Sequence, residues 1–308
     1  MIHKLLKRIA GLVLILVILS FFVFALLYIA PGDPAEKRLT SQGVAVTKQV
    51  LDAERARLGL FRPFLVRYGE WLFGVVRGDF GVSFKDDLPV APKLFQGLQN
   101  TCLLAVSSLL MALLLSFGLS IASVLNKDGP ADHLVRICAF VSNSLPNFLI
   151  SVMLMYLLCI RLDLFPVIAA KGDLRGLVMP VLSLTIPMCG RFTRQMRAEF
   201  LDQMRSDYVT GMRGRGVRTR YILLNVVRNA LGHIFTIVAL QIGTLMGGSV
   251  VIETIFRWPG IGKLVMDAIT ARDYPVIMGF VVIMGTIYVV INQLSDIINH
   301  ILDPRTAL

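Results

Sequence analysis

Six uncharged, apolar stretches divide this chain of 308 residues, at 9–32, 94–126, 137–160, 176–190, 229–252 and 274–295. Crossing the hydrocarbon core of a bilayer takes about 20 helical residues at a rise of about 1.5 Å each. Five of the six reach that length. The fourth, 176–190, is only about 22 Å long as a helix. It crosses if Arg191 and Arg194 snorkel or if the helix lines a wet cavity. Charged residues make up 17% of the chain, against roughly a quarter in a soluble domain. The pattern predicts an all-α polytopic membrane protein with six transmembrane helices.

Charge distribution orients those helices. The net charge is +11, but it is spread in a way that argues against a nucleic-acid surface. Ten basic residues in 31–98 are nearly balanced by eight acids. Nine arginines and no lysine lie between Arg191 and Arg228, with only Glu199, Asp202 and Asp207 as acids. Lys4, Lys7 and Arg8 precede the first span. Basic residues stay inside, so residues 1–8 are expected in the cytoplasm. Six crossings then put the arginine segment 191–228 and the C-terminus there too. Residues 9–30 form the first span, 31–98 an extracytoplasmic loop, and 99–308 a five-helix domain. The first span exceeds the 7–15 apolar residues of a cleaved secretory signal and reads as a retained anchor. Cys102, Cys138, Cys159 and Cys189 lie inside predicted spans at irregular separations, as small apolar residues. No internal repeat is evident, which argues against a secondary transporter.

Within 31–98, the stretch 50–73 has helical periodicity around Trp71, and the loop is expected to pack as a small external cap. Pro146 lies inside the third span, and Pro180 and Pro187 inside the fourth. One reading is ordinary kinking, tolerated where neighbours satisfy the freed carbonyls. The other is a bend opening a translocation path, with Ser144 and Asn147 supplying polar atoms to it.

Ser206 and Asp207 suit the start of a short helix, where a carboxylate complements the dipole. Gly211, Gly214 and Gly216 allow a break, after which 217–227 resumes as an amphipathic stretch. The expected object is helix, turn, helix, lying flat with arginines on one face and Tyr208, Val209 and Tyr221 as apolar points. Such an element suits a groove on a soluble partner. The competing reading, which the pattern favours less, is an interfacial helix drawn to anionic lipid at about 1 kcal/mol per basic residue.

The wording of this segment, DYVTGMRGRGV at 207–217 followed by VVRNAL at 226–231, resembles the cytoplasmic coupling loop of ATP-binding-cassette importer permeases. Further motifs follow in the order of that family. They are GDFGVSF at 78–84, SLPNF at 144–148, GGSVVIETIFRWPGIGKL at 247–264, ARDYPVIMG at 271–279 and the terminal Asp303, Pro304 and Arg305. Together they cover nearly the whole chain. They are most similar to the dipeptide, oligopeptide and nickel branch, and PGDPA at 31–35 is closest to its nickel permeases. The chain departs from the family in two places: Thr210, Gly211 and Met212 stand where the family usually has small residues, and Asn225 stands where many relatives have histidine.

The resemblance implies a type I importer permease fold in a bacterial cytoplasmic membrane, with both termini inside. It implies coupling to ATPases through Asp207, Tyr208, Val209, Arg213, Gly216, Arg228 and Asn229. The implied partners are a homologous second permease, two ATPase subunits and an extracytoplasmic substrate-binding protein. The chain has no Gly-x-x-x-x-Gly-Lys-Ser/Thr. ATP and magnesium therefore belong to the partner ATPases, and no cofactor or catalytic residue is expected on this chain.

His3, His133, His233 and His300 have no partner at metal-ligand spacing, so no metal site is expected; pairs such as Met153 and Met155 read as packing. Glu253, near the outer end of the fifth span, and Asp296, near the inner end of the sixth, are the membrane-edge acids; for Glu253 the resemblance implies a gate or a structural anchor. The function implied is import of nickel or a nickel chelate, with dipeptide or oligopeptide import as the alternative. A self-sufficient channel or membrane scaffold is the reading from another class.

Overall fold

A computed structural model describes residues 2–166 and 175–302. Among them the chain is almost wholly helical; the terminal Asp303, Pro304 and Arg305 lie outside the described residues. Among the described residues five helices are long and apolar enough to cross a membrane, or six if one sharply bent pair counts as a single span. The chain forms two compact units, one of Met1–Asn100 with Pro259–Val290, the other of Thr101–Trp258 with Ile291–Leu308.

The first unit opens with α1, Ile2–Ile29. Its described side chains are apolar all round, and Leu14 and Phe22 stand exposed, as lipid-facing residues do. The loop after it folds into α2 (Pro34–Ser41), α3 (Lys48–Arg57) and α4 (Phe64–Val76). The single periodic stretch read from the sequence is thus two helices, parted at Gly59 (φ +67°) and Pro63. The long helix α5, Val90–Leu125, begins in this unit, which is completed by α11 (Ile261–Ala271) and most of α12 (Tyr274–Leu302). Its core joins Phe80, Val90 and Leu94 to Ile261, Val265 and Ile277. Gly279 lets α12 approach closely here, since a Cβ there would lie 2.5 Å from Leu94 Cδ1.

Motifs distant in sequence meet in this unit. Asp273, almost fully buried, accepts hydrogen bonds from Ser83 Oγ and, at 2.9 Å, from the Phe84 N–H. Its neighbour Arg272 adopts the left-handed conformation (φ 55°) and donates to the Pro31 carbonyl. Asp33 caps α2 by accepting from the Ala35 N–H at 2.9 Å and pairs with Arg55 at 2.6 Å. Arg38 joins Glu54 (3.1 Å) to Asp87. The wording shared by these motifs is that of an internally bonded cap.

The second unit takes α5 onward from Thr101, then α6 (Pro130–Ser144), α7 (Asn147–Leu154), α8 (Arg175–Met204), α9 (Asp207–Gly214) and α10 (Thr219–Ile255). Along α5, Ser108, Ala112, Ser116, Ser120 and Ser123 are all fully buried, a stripe of small residues at helical spacing. Ser116 and Ser120 donate to the Cys189 and Thr193 carbonyls of α8, each at 3.1 Å. Gly190 brings α8 equally close to α6, since a Cβ there would meet the Ala139 carbonyl at 2.8 Å. α8 continues through Pro180 and Pro187. The fourth apolar stretch is therefore the first half of a 30-residue helix.

The third span is where a continuous helix fails. A proline disfavours helical geometry in the residue before it. Leu145 is accordingly extended (φ −88°, ψ 135°), and α6 and α7 meet at a bend of 104°. Beyond α7 the chain winds as a π-helix over Met155–Arg161.

Candidate functional site

The arginine segment is not uniform. Seven of its nine arginines, Arg194, Arg205, Arg213, Arg215, Arg218, Arg220 and Arg228, are exposed, whereas Arg191 and Arg197 turn partly inward. Arg197 Nε and Nη2 lie 2.7 and 2.6 Å from the two carboxylate oxygens of Asp132, which is fully buried and also bonded by Ser123. Arg197 thus ties α8 to α6.

α9 is held as a short element between two long ones. Val209 is fully buried, and Asp207 opens the helix at its positive end. The Ser206 hydroxyl does not cap α9 but donates back to the Gln203 carbonyl at 2.6 Å. Half-buried Tyr208 donates to Gln203 Oε1 at 3.2 Å. Gln203 Nε2 then donates to Glu199 Oε1 at 3.1 Å, and His233 Nδ1 of α10 approaches the same oxygen at 3.4 Å. Gly216, at φ +73°, closes the turn, with its N–H donating to the Arg213 carbonyl at 2.9 Å. Asp207, Arg213, Gly216, Arg228 and Asn229 are all exposed around this turn.

The second helix of the segment does not lie separately along the surface. α10 starts at Thr219 and continues without interruption to Ile255, so Arg228 and Asn229 stand on the leading turns of the fifth span. Nothing between those residues breaks a helix as a proline would. Ile222, Val226 and Ala230 are buried at four-residue spacing, while Arg220, Leu224 and Arg228 face outward.

Of the residues read as lining a path, Ser144 and Pro146 are exposed, and Ser144 Oγ donates to its own helix at Phe140 O, 2.8 Å away. Asn147, just past the bend, borders a cavity of about 180 Å³. Leu184, Met188 and Arg191 of α8 and Gln241 and Gly248 of α10 complete its main walls. Arg191 Nη1 donates to Gln241 Oε1 at 3.1 Å. Arg191 and Gln241 were absent from the path residues read from sequence. The available signal was the spacing of Leu184, Met188 and Arg191, which puts an arginine on an otherwise apolar helical face. Glu253, at the end of α10, is fully buried and accepts from Thr101 Oγ1 at 2.7 Å. It does not snorkel outward.

Among the described residues no three His, Cys, Asp or Glu side chains come together as metal ligands. His133 is exposed, with its ring 2.9 Å from the Gly129 carbonyl. The side chains of His3, Asp296 and His300 lie outside the described residues. All four cysteines are free.

Fold and site define a class: a helical protein with several membrane-length apolar helices, a basic exposed turn between two of them and a small cavity holding polar side chains. The family model for the binding-protein-dependent transport system inner membrane component matches residues 103–308, and that for its N-terminal part matches 1–105. The chain is 34% identical over 301 residues, 97% of its length and 96% of the relative's, to the metal-staphylopine import system permease protein CntB of Staphylococcus aureus strain NCTC 8325 / PS 47. It is 32% identical over 308 residues, 100% of its length and 92% of the relative's, to the nickel import system permease protein NikB of S. aureus strain MRSA252. The chain belongs to the family of inner membrane components of binding-protein-dependent transport systems. It is a permease, a membrane component of a transporter and not a catalytic one.

Proposed function

We propose that this chain is the translocating subunit of an importer for nickel or a nickel chelate, driven by ATPases on separate chains. The observation that carries the proposal is the turn between α8 and α10, where exposed arginines surround a short helix anchored by buried Val209. A soluble partner engaging that turn would move α10 directly, because α10 is continuous from the turn into the membrane. Asp207, Tyr208, Val209, Arg213, Gly216, Arg228 and Asn229 are the coupling residues in this reading. Two ATPases with their ATP and magnesium dock there, and a homologous second permease completes the path. A binding protein delivers solute on the side of residues 31–98.

The N-terminus, the arginine segment and the C-terminus face the cytoplasm of a bacterial cell, as the basic residues favour. Asn147 contributes to the path, with Pro146 setting the bend and Ser144 flanking it. Glu253 serves as an anchor between α5 and α10. Alternating access then consists of two packings of the spans, biased by ATP on the partner chains. Nickel is favoured over peptide because CntB is named for metal-staphylopine and NikB for nickel.

The test is uptake by a deletion strain carrying the complete operon. Labelled nickel, with and without added chelators, is compared with labelled dipeptide. Nickel accumulation that disappears without this chain is expected. Dipeptide accumulation alone would move the assignment to peptide import.

A further inference from the structure

Arg191 is an arginine within a membrane-length helix, partly buried, with no counter-ion among the described residues. Its Nη1 reaches the neutral Gln241, and its Nε is buried with no hydrogen-bond partner among the described residues. Among the described residues it makes no ion pair, whereas Arg197, six positions on, is matched by Asp132. The residues bordering the cavity are all neutral apart from Arg191 itself. Further along the same face of α8, Gln195 holds a buried side-chain oxygen that is likewise unpartnered. A guanidinium left this way is costly unless charge and acceptors arrive from elsewhere. Its planar, forked donors match the paired oxygens of a carboxylate.

We infer that Arg191, steered by Gln241 and Asn147, binds a carboxylate of the passing solute and so selects anionic chelates over the bare divalent cation. This rests on the proposal that the chain carries the solute; it does not depend on the solute being nickel, because a peptide C-terminus presents the same group. Bare Ni²⁺ would be repelled at this point. The metal crosses as a complex whose ligand still exposes a carboxylate.

Two measurements test it. In the reconstituted complete transporter, uptake of nickel citrate, of unchelated nickel and of a labelled dipeptide is compared for the parent, Arg191→Lys and Arg191→Gln. A charged hydrogen bond of this kind corresponds to about tenfold or more in affinity. Arg191→Gln is expected to reduce nickel citrate uptake about tenfold, while Arg191→Lys keeps most of it. If the parent carries dipeptide but no nickel, the nickel assignment fails, and the same loss is read on the dipeptide. Equal uptake by parent and Arg191→Gln overturns the inference.

The second measurement needs no transported solute. Asn147→Cys, in a background without native cysteines, is treated with an anionic sulfonatoethyl and a cationic trimethylammonioethyl thiosulfonate. The anionic-to-cationic rate ratio is expected to fall about tenfold on adding Arg191→Gln. An unchanged ratio, or no reaction with either reagent, overturns the inference.

Discussion

At the level of single residues, arginines that look alike in the sequence have different roles. Arg194 is exposed, while Arg197 meets a fully buried carboxylate through two short contacts. Removing one partner of a buried pair typically costs about 3–5 kcal/mol, and an exposed charge about 0–1 kcal/mol. Arg197 keeps some solvent access, so the lower end applies. Arg197→Ala should lower the detergent melting temperature of the purified chain clearly, and Arg194→Ala should leave it unchanged. Similar melting for both would show that the Asp132 contact contributes nothing. Asp87 gives a second residue-scale test. Hydrogen bonds from Arg38 and Arg57 hold its carboxyl down to about 2, below the roughly 3.9 of an unfolded aspartate. A lowered folded-state pKa stabilises above the unfolded value and is lost as pH falls through the folded one. In an acid titration followed by Trp71 fluorescence, Asp87→Asn should unfold the cap with a shallower pH dependence between about 4 and about 2. Identical acid limbs would contradict the pairing. The charge pattern made the arginine segment visible in the sequence. The inward turn of Arg191 and Arg197 was not, because their partners Gln241 and Asp132 lie 50 and 65 positions away.

Among elements, the turn carries the most weight. Gly216 has φ +73°, and a Cβ built there meets nothing within 4 Å. Substitution therefore strains the backbone without a steric clash, at about 1–3 kcal/mol for a residue held in that region. Gly216→Val should bring uptake to background while the subunits still co-purify; normal uptake would contradict the coupling role. The helix–turn–helix of this segment was readable from Ser206, Asp207 and the glycines. That its second helix is the start of α10 was not, since an amphipathic run joins an apolar one here with no proline or cap between them. The break in the third span was half readable. Pro146 marked its place, but a 104° turn and a mild kink are written with the same residue. The buried serine stripe on α5 is not legible in the sequence, because Ser108, Ser116 and Ser120 interrupt an apolar run without weakening it as a span.

At the scale of the whole molecule, the described residues hold five helices long and apolar enough to cross a membrane, or six if the bent pair is one span. Span positions are the most legible feature of the sequence, because bilayer thickness sets a length that uncharged stretches meet or fail. The packing of Ser83 and Asp273, far apart in the chain, is the least legible. The central claim is that the turn carrying Thr210 lies in the cell interior and receives force from another chain. Thr210 is exposed on α9, so a cysteine placed there meets whichever solvent the turn faces. A membrane-impermeant maleimide applied to Thr210→Cys, with the native cysteines replaced, tests this directly. The account predicts labelling in inverted vesicles, blocked by bound ATPase subunits, and none in intact cells. Labelling in intact cells would contradict both the orientation and the coupling.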